Sequence, residues 1–225
     1  MRLTDLALTP LYLVQAAQFI ARTEKLPEAV GPRAGQSGQG APMRLLILGD
    51  SSGAGVGVAH QDQALIGRML HHLEPERAVK WQVIARSGAT TAHARRMLAG
   101  AGPSDVAVLA LGVNDVLRQT ASRRFEVDYA KLIEALPARH ILASAVPPLG
   151  HFTAFPRPLR GYIGQRAIAL DAALQTVCAN TGALHVPFDL DPDPRWLARD
   201  GLHPGAALYA EWGRRMAALA LARLS

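Results

Sequence analysis

The sequence contains a serine, a histidine and an aspartate whose side chains suit acyl transfer. An apolar run stops at Gly49, and Ser51 follows directly after Gly49 and Asp50. A serine hydroxyl attacks a carbonyl carbon efficiently only when a base removes its proton and hydrogen-bond donors stabilise the oxyanion that forms. His203 can be that base, and Asp200, three residues earlier, can orient its imidazole ring. We therefore predict Ser51, Asp200 and His203 as the catalytic residues.

Three groups are candidates for an oxyanion hole: the backbone N–H of Ser51, the backbone N–H of Gly88 and the side-chain amide of Asn114. Glycine has no Cβ, so the backbone at position 88 can approach a substrate closely. Asp50 and Asp115 stand next to two of these groups, and we interpret both as structural acids that hydrogen-bond within their own loops.

Apolar runs of strand length alternate with segments of helical periodicity from residue 43 onward. The runs predict strands over residues 45–48, 79–85, 105–111, 140–146 and 183–186. The periodic segments predict helices over residues 63–73, 90–98, 125–136, 159–180 and 204–224. Unbroken apolar strands are typical of parallel sheets that helices cover on both faces. The sequence thus predicts a three-layer α/β/α domain with a five-stranded parallel sheet in flavodoxin-like order, whose strand-end loops meet at one edge.

Four short blocks occur in order along the chain: Gly49-Asp50-Ser51, Gly88, Gly112-Val113-Asn114-Asp115 and Asp200-Gly201-Leu202-His203. In these blocks the sequence resembles the SGNH (GDSL) hydrolases, from about Arg44 to the C-terminus. The resemblance implies a flavodoxin-like fold, a metal-free serine esterase, lipase or thioesterase, and the catalytic and oxyanion roles given above. Ser52 departs from the leucine that often follows Gly-Asp-Ser in this family, which leaves a second serine beside the nucleophile.

The loop after the fourth predicted strand, residues 146–156, is apolar and aromatic and is followed by Arg157 and Arg160. The predicted substrate-binding residues are Val113, Leu117, Leu149 and Phe152. Such a pocket favours a short- to medium-chain acyl ester or thioester, cleaved through an acyl-enzyme. A lysophospholipid, whose phosphate would meet the two arginines, is one substrate of this kind.

Two other functions are weighed against the esterase. One is a non-catalytic module on the same fold that binds acyl lipids or carbohydrates, because a fold does not determine a function. The other is a nucleotide-binding domain, since glycines follow the first strand at positions 53, 55 and 57. The dinucleotide fingerprint needs its third glycine at position 58, which is Val58, and no Gly-Lys-Ser/Thr phosphate loop is present.

Composition limits the partners of the chain. With 225 residues, 49% hydrophobic and 19% charged, it has the make-up of one large globular domain. The net charge of +6 could mark a nucleic-acid binder, but the arginines are scattered and aromatic residues are only 5%, so we expect no nucleic-acid partner. The single cysteine, Cys178, rules out an intramolecular disulfide, and no compact Cys/His cluster is present. We therefore expect no metal ion and no cofactor.

The first thirty residues form an apolar segment for which we predict a helix over residues 10–22, capped by Thr9. The segment makes a poor signal peptide, so we expect a cytoplasmic protein. A helix of about 20 Å is too short for a hydrocarbon core of about 30 Å. It can dock on the domain, or residues 1–25 can make a peripheral contact with a membrane surface. Glycine-rich residues 31–42 predict a flexible linker, and the hydrolase-like domain is expected over residues 43–225.

Overall fold

Six strands form one sheet in the order β1-β3-β2-β4-β5-β6. The computed structural model describes residues 3–190 and 193–224, so the first two residues of the predicted N-terminal segment lie outside it. The strands are β1 (Ala34–Ser37), β2 (Ala41–Gly49), β3 (Arg77–Ala85), β4 (Ser104–Ala110), β5 (Ala138–Ser144) and β6 (Leu184–Val186). Strands β2 to β6 run parallel, and β1 pairs antiparallel with β3 at the edge. Without β1 the order is that of the flavodoxin fold, as predicted.

Helices cover both faces of the sheet. The helices are α1 (Leu3–Arg22), α2 (Leu65–Leu73), α3 (Thr91–Met97), α4 (Val113–Leu117), α5 (Ser122–Ala135), α6 (Leu159–Thr181) and α7 (Ala206–Leu224). Helices α2 and α7 share a buried apolar cluster with Leu45 and Ile47 of β2, whereas α3, α5 and α6 share one with Leu46 and Leu48. Alternate residues of β2 thus enter opposite clusters, which explains its unbroken apolar run. The three-layer prediction is confirmed.

The structure corrects the predicted number of strands and part of the predicted linker. Strand β1 lies within residues 31–42, with Ala34 opposite Gln82 of β3, and β2 already begins at Ala41. This segment has no large apolar side chain, so its sequence carries no strand pattern. An edge strand can be held by backbone hydrogen bonds to its single neighbour. The sheet therefore has six strands rather than five.

Helix α1 begins earlier than predicted. Pro10 lies inside the helix and not at its first position. Proline removes one intrahelical hydrogen bond but has a backbone φ that a helix accepts. At 1.5 Å per residue the helix is about 30 Å long, and not about 20 Å. Within residues 3–190 and 193–224, no helix is both long enough and apolar enough to cross a membrane.

One face of α1 docks on the domain. Tyr12 stacks on Tyr162 of α6 with ring centroids 4.9 Å apart, and Phe19 packs on Phe155 at 4.5 Å. The side chain of Gln15 donates to the carbonyl of Arg157 and accepts from the N–H of Leu159, at 2.8 and 3.1 Å. Several apolar side chains on the rest of the helix are exposed, namely Leu11, Leu13, Val14 and Ile20.

Candidate active site

The loop that carries Ser51 is fixed at the carboxyl end of β2. Its chain turns back at once, because the N–H of Val56 donates to the carbonyl of Ser51 at 2.9 Å. Helix α7 holds the loop from one side, since the hydroxyl of Tyr209 donates to the carbonyl oxygens of Ser52 and Val56, at 3.0 and 2.8 Å. The serine therefore sits on a short turn that is tied to both the sheet and a helix.

The loop before α7 brings His203 to this turn. One carboxylate oxygen of Asp200 accepts from the backbone N–H groups of Leu202 and His203, both at 3.0 Å, which makes a tight local turn. The two loops touch where Gly57 meets Pro204. A Cβ at position 57 would collide with the carbonyl oxygen of Pro204, and φ there is +107°, so only glycine allows this close approach.

Ser51, His203 and Asp200 form one hydrogen-bonded chain. Nε2 of His203 lies 2.9 Å from Oγ of Ser51, and Nδ1 lies 2.5 Å from the second carboxylate oxygen of Asp200. Burial by itself would raise the pKa of Asp200, but its hydrogen bonds with the His203 side chain and two backbone N–H groups lower that pKa below its ordinary value. Because Asp200 is ionised, it holds the N–H at Nδ1 and leaves Nε2 to accept the serine proton.

The three predicted oxyanion donors line the same cavity as the Ser51 hydroxyl. Among the described residues, the backbone N–H groups of Ser51 and Gly88 donate to no acceptor of the chain. The Nδ2 atom of Asn114 donates to Asp50 at 3.1 Å. A primary amide has two N–H bonds, so one of them stays available.

Asp50 makes a hydrogen bond to Asn114 that the sequence did not reveal. Its two carboxylate oxygens accept from the N–H of Ser52, at 2.9 Å, and from the Asn114 side chain. Burial raises the pKa of Asp50 to about 6, although the Ser52 hydrogen bond, the positive charge that His203 can carry and the Asn114 hydrogen bond act in the opposite direction. The predicted bond within its own loop is present. The additional bond orients the amide of Asn114.

Asp115 fixes the element that carries Asn114. One of its oxygens accepts from the N–H and the hydroxyl of Thr91, at 2.9 and 3.0 Å, and the other accepts from Thr120 at 3.3 Å. Burial raises the pKa of Asp115, and the bonds with Thr91 and Thr120 partly offset that effect. These contacts join α4 to the start of α3, in keeping with a structural acid. Helix α4 itself was not predicted, because five residues are too few for a periodic pattern.

A largely apolar cavity of about 440 Å³ opens at this site. Val113, Leu117 and Phe152 line it, at positions predicted for substrate binding. Leu149 does not, and this prediction is wrong. It begins a 3-10 turn, Leu149–His151, that packs on α6, and its side chain is fully buried in the apolar core.

The two arginines predicted to meet a phosphate also lie outside the cavity lining. Arg160 donates to the carbonyl oxygens of Phe155 and Thr153, at 2.7 and 3.1 Å. The carbonyl of Arg157 accepts from Gln15 of α1. Arg160 therefore holds its own loop together, and Arg157 takes part in docking α1.

Three segments that line the cavity contain no recognisable motif, and they were not predicted as cavity walls from the sequence. They are the segment after α1 with its last turn (Ile20, Thr23, Glu24, Lys25, Leu26), the loop after β6 (Pro187, Phe188, Leu190) and one side of α7 (Leu208, Trp212, Arg215, Met216). Only the second could have been expected, because Pro187 and Phe188 follow a predicted strand at the carboxyl edge of the sheet. The other two depend on how the chain ends fold over that edge.

Comparison with known proteins identifies relatives for most of the chain. Residues 47–211 match the GDSL-like lipase/acylhydrolase family. A GDSL-like esterase of Mycobacterium tuberculosis is 28% identical, and the match covers 75% of this chain and 58% of the relative. The chain therefore spans a little over half the length of that curated relative.

Solved structures share the fold. A lipase/acylhydrolase from Enterococcus faecalis has a TM-score of 0.66 at 19% identity, over 80% of this chain and 96% of that one. The esterase EstA from Pseudoalteromonas sp., in a form inhibited by monoethylphosphonate, has a TM-score of 0.60 at 19% identity, over 77% and 93%. At these identities the likeness concerns the fold.

The bond between Asp50 and Asn114 leads to a first prediction. We expect Asp50→Asn to lower kcat by about 10²- to 10³-fold, close to the effect of losing one oxyanion donor. An asparagine at position 50 would present an NH2 group to Asn114, whose amide would then turn its oxygen toward the cavity. The rate is measured at neutral pH with p-nitrophenyl esters, on protein shown to be folded by circular dichroism. An unchanged kcat would mean that Asp50 does not orient Asn114.

The pH dependence of the stability of the same variant tests the raised pKa of Asp50. The folded-state pKa of about 6 lies above the value of about 3.9 for a free aspartate, so the folded protein binds this proton more tightly than the unfolded chain. The resulting stabilisation is complete below about pH 4 and is lost as the pH rises to about 6. The unfolding free energy of the variant minus that of the wild type should therefore rise by about 3 kcal/mol across this window. Urea titrations measure it, and a difference that is flat with pH would contradict the raised pKa.

Proposed function

The chain belongs to the GDSL-like lipase/acylhydrolase family, and we propose that it is a serine esterase that works through an acyl-enzyme. One observation carries the proposal: the hydrogen-bonded chain of Ser51, His203 and Asp200 ends in a cavity whose lining also includes Gly88 and Asn114, the other two candidates for the oxyanion hole. A nucleophile, a base and preorganised donors are the parts that acyl transfer requires.

In the acylation step, Oγ of Ser51 attacks the ester carbonyl carbon while Nε2 of His203 takes its proton. The carbonyl oxygen becomes an oxyanion and accepts from the N–H groups of Ser51 and Gly88 and from the second N–H of Asn114. The bond to the alcohol oxygen then breaks, and the imidazolium returns its proton to that oxygen. Asp200 offsets the positive charge on the ring throughout. The acyl group stays on the serine.

Deacylation repeats these steps with water in place of the serine hydroxyl. His203 takes a proton from a water molecule as the water oxygen attacks the acyl carbon. The second oxyanion uses the same donors as the first. When the bond to Oγ breaks, the proton passes from the imidazolium to Ser51, and a carboxylic acid leaves. A thioester follows the same route, because the oxyanion donors interact with the carbonyl oxygen and not with the leaving group.

The cavity supports a short- to medium-chain acyl group as the bound part of the substrate. Its wall includes residues that follow four parallel strands, namely Ser51 after β2, Leu111 after β4, Ala145 after β5 and Pro187 after β6. Neighbouring strands lie about 4.8 Å apart, so the wall extends about 14 Å from β2 to β6. An extended apolar chain can lie along that edge, away from the reacting carbonyl.

Amphiphilic esters such as lysophospholipids extend this proposal. Lys25 is exposed and lines the cavity. Its ammonium group would meet a phosphate in place of the two arginines that the sequence suggested. The apolar part of such a substrate would occupy the same cavity as a simple acyl ester.

The exposed face of α1 supports a peripheral membrane contact. Ile20 is 69% exposed and also lines the cavity, so this face reaches the cavity wall. Leu13 and Val14 extend the face along the helix, with 66% and 53% of their surface exposed. An apolar helix face of this kind can lie in the boundary between headgroups and acyl chains. An ester in that surface would then be close to the cavity.

A non-catalytic binding module for acyl lipids or carbohydrates is the alternative function. The largely apolar cavity suits an acyl lipid whether or not catalysis follows. The hydrogen bond between Ser51 and His203 favours catalysis, because ligand binding alone needs no base beside a hydroxyl. Covalent reactivity of Ser51 therefore separates the two.

We expect a fluorophosphonate probe to label the wild type at Ser51, as shown by mapping the modified peptide. Labelling should disappear in Ser51→Ala and fall at least about a hundredfold in His203→Ala, since the base activates the hydroxyl. Tyr162→Phe, which loses a hydrogen bond to Gln119 between two residues outside the cavity lining, is the control and should react normally. Labelling at Ser52 would move the nucleophile by one residue. A folded wild type that is not labelled would support the binding module.

A larger side chain at the middle of the cavity wall should shorten the preferred acyl chain. Ala145→Leu fills space beside the end of β5, so kcat/KM for the p-nitrophenyl decanoate ester should drop by about tenfold or more, with little change for the acetate. Ala172→Leu adds the same atoms at an exposed position of α6 and should leave both rates unchanged. Equal losses for both esters would argue against an acyl site along this wall.

The membrane contact is tested by co-sedimentation with vesicles of phosphatidylglycerol and phosphatidylcholine. We expect the wild type to bind and Leu13→Asp to bind at least about fivefold more weakly, because a charge on the buried face of an interfacial helix is unfavourable. Ile168→Asp changes a comparably exposed residue of α6 (62%) and serves as the control. Absence of wild-type binding, or equal loss in both variants, would refute the contact through α1.

A further inference from the structure

Glu28 lies before the family-matched residues and contacts the loop that supplies a proposed oxyanion donor. Its Oε1 atom accepts from both the backbone N–H and the hydroxyl of Ser87, at 2.8 and 2.7 Å. Ser87 directly precedes Gly88, so the peptide group that carries the Gly88 N–H begins at a residue held at two atoms. This places a carboxylate one residue away from the oxyanion donor.

The carboxylate of Glu28 is itself held in place. Its other oxygen accepts from the guanidinium of Arg33 at 2.7 Å, and that guanidinium also donates to the carbonyl of Ala85 at 2.8 Å. Ala85 is the last residue of β3, two positions before Ser87. Burial would raise the pKa of Glu28, but its hydrogen bonds with Ser87 and Arg33 lower it below its ordinary value. The charged form that accepts these bonds is therefore present at neutral pH.

The residue after Glu28 also contacts the nucleophile loop. The N–H of Ala29 donates to the carbonyl of Ala54 at 3.3 Å. The side chain of Gln61 donates to the carbonyl oxygens of both residues, at 3.2 and 3.0 Å. Residues 28 and 29 thus link the loop that carries Gly88 to the loop that carries Ser51.

The Gly88 loop needs such an external anchor. Its own bonds are few: the N–H of Ala89 donates to the carbonyl of Arg86, and the N–H of Arg86 donates to the carbonyl of Gly49. Gly88 has a φ of +80°, and a Cβ added there would have its nearest neighbour, the Arg118 guanidinium, as far as 4.0 Å away. The bond between Ala89 and Arg86 closes a turn with Ser87 and Gly88 at its centre, so the direction of the Gly88 N–H depends on how this whole turn is held against the rest of the chain. The fixed point beside it is Ser87.

We propose that Glu28 is a positioning residue of the oxyanion hole: it holds Ser87 so that the adjacent Gly88 N–H points at the oxyanion. This role rests on the esterase function proposed above. Glu28 makes no contact with the reacting atoms, so its effect is on the step in which negative charge develops and not on substrate binding. It lies outside residues 47–211, so it is a feature of this chain in addition to the four blocks.

The test compares Glu28→Ala, Glu28→Gln and wild type in kcat, KM and the rate of inactivation by a fluorophosphonate. Glu28→Ala should lower kcat and the inactivation rate by about ten- to a hundredfold, as expected for a misplaced rather than a missing donor, with KM nearly unchanged. Glu28→Gln should recover part of the loss, because its amide oxygen can accept from Ser87 while its NH2 faces Arg33. The side chains of Glu28 and Arg33 are 34% and 33% exposed, so water can hydrate the arginine left without a partner.

Asp105→Asn is the matched control. Asp105 also accepts from a backbone N–H and a guanidinium, both from Arg44 and at 2.8 Å, but at the amino end of the sheet. It should keep wild-type kcat. A folded Glu28→Ala with wild-type kcat, a change confined to KM, or a Gln variant no better than Ala would overturn the positioning role and leave the esterase intact. A wild type without turnover or labelling would instead refute the proposed function, and the positioning role with it.

Discussion

The burial of β2 on both faces is the constraint on which the site depends. The strand lies between β3 and β4, pairs with both in parallel register, and enters the apolar clusters above and below the sheet. Its main chain cannot shift without breaking two ladders, so the position of Ser51 at its end is set by the core. The loops after β3 and β4 then bring Gly88 and Asn114 to the same edge. Loops on a rigid scaffold can hold functional side chains and backbone groups at fixed distances from one another.

Two buried aspartates at this edge show how hydrogen bonding decides the state of a carboxylate. Asp200 accepts from the His203 side chain and two backbone N–H groups, and its pKa lies below the ordinary value. Asp50 is more deeply buried and accepts from one backbone N–H and the neutral Asn114 amide, and its pKa is raised to about 6. At Asp200 the hydrogen bonds lower the pKa by more than burial raises it. At Asp50 the hydrogen bonds are fewer, and the effect of burial is larger. The raised pKa means that ionising Asp50 lowers the stability of the fold at neutral pH, and we propose that the charge is retained because it orients Asn114.

The sequence was sufficient where burial or local spacing dictates the structure. Five parallel strands, their order and the convergence of four loops were predictable, because apolar runs report burial and strand-end loops share an edge. Strand β1 was not, since an edge strand of small and polar residues leaves no apolar pattern. Leu149 was misplaced because an apolar residue in a loop does not reveal whether it faces a cavity or α6. The bonds of Asp50 to Asn114 and of Glu28 to Ser87 join residues 64 and 59 positions apart, and only tertiary structure establishes such pairs.

The segments on either side of the family-matched region add walls to the cavity but carry none of the four blocks. All four blocks lie within residues 47–211, the region matched to the family. The cavity is also walled by Ile20 to Leu26 on one side of that region and by Trp212 to Met216 on the other. These walls line the cavity without supplying the proposed nucleophile, base or oxyanion donors. Substitutions in them can therefore change which acyl group fits while the reacting groups keep their geometry. The Glu28 contact is the exception, because there the same N-terminal segment reaches the oxyanion loop and couples the cavity wall to the chemistry.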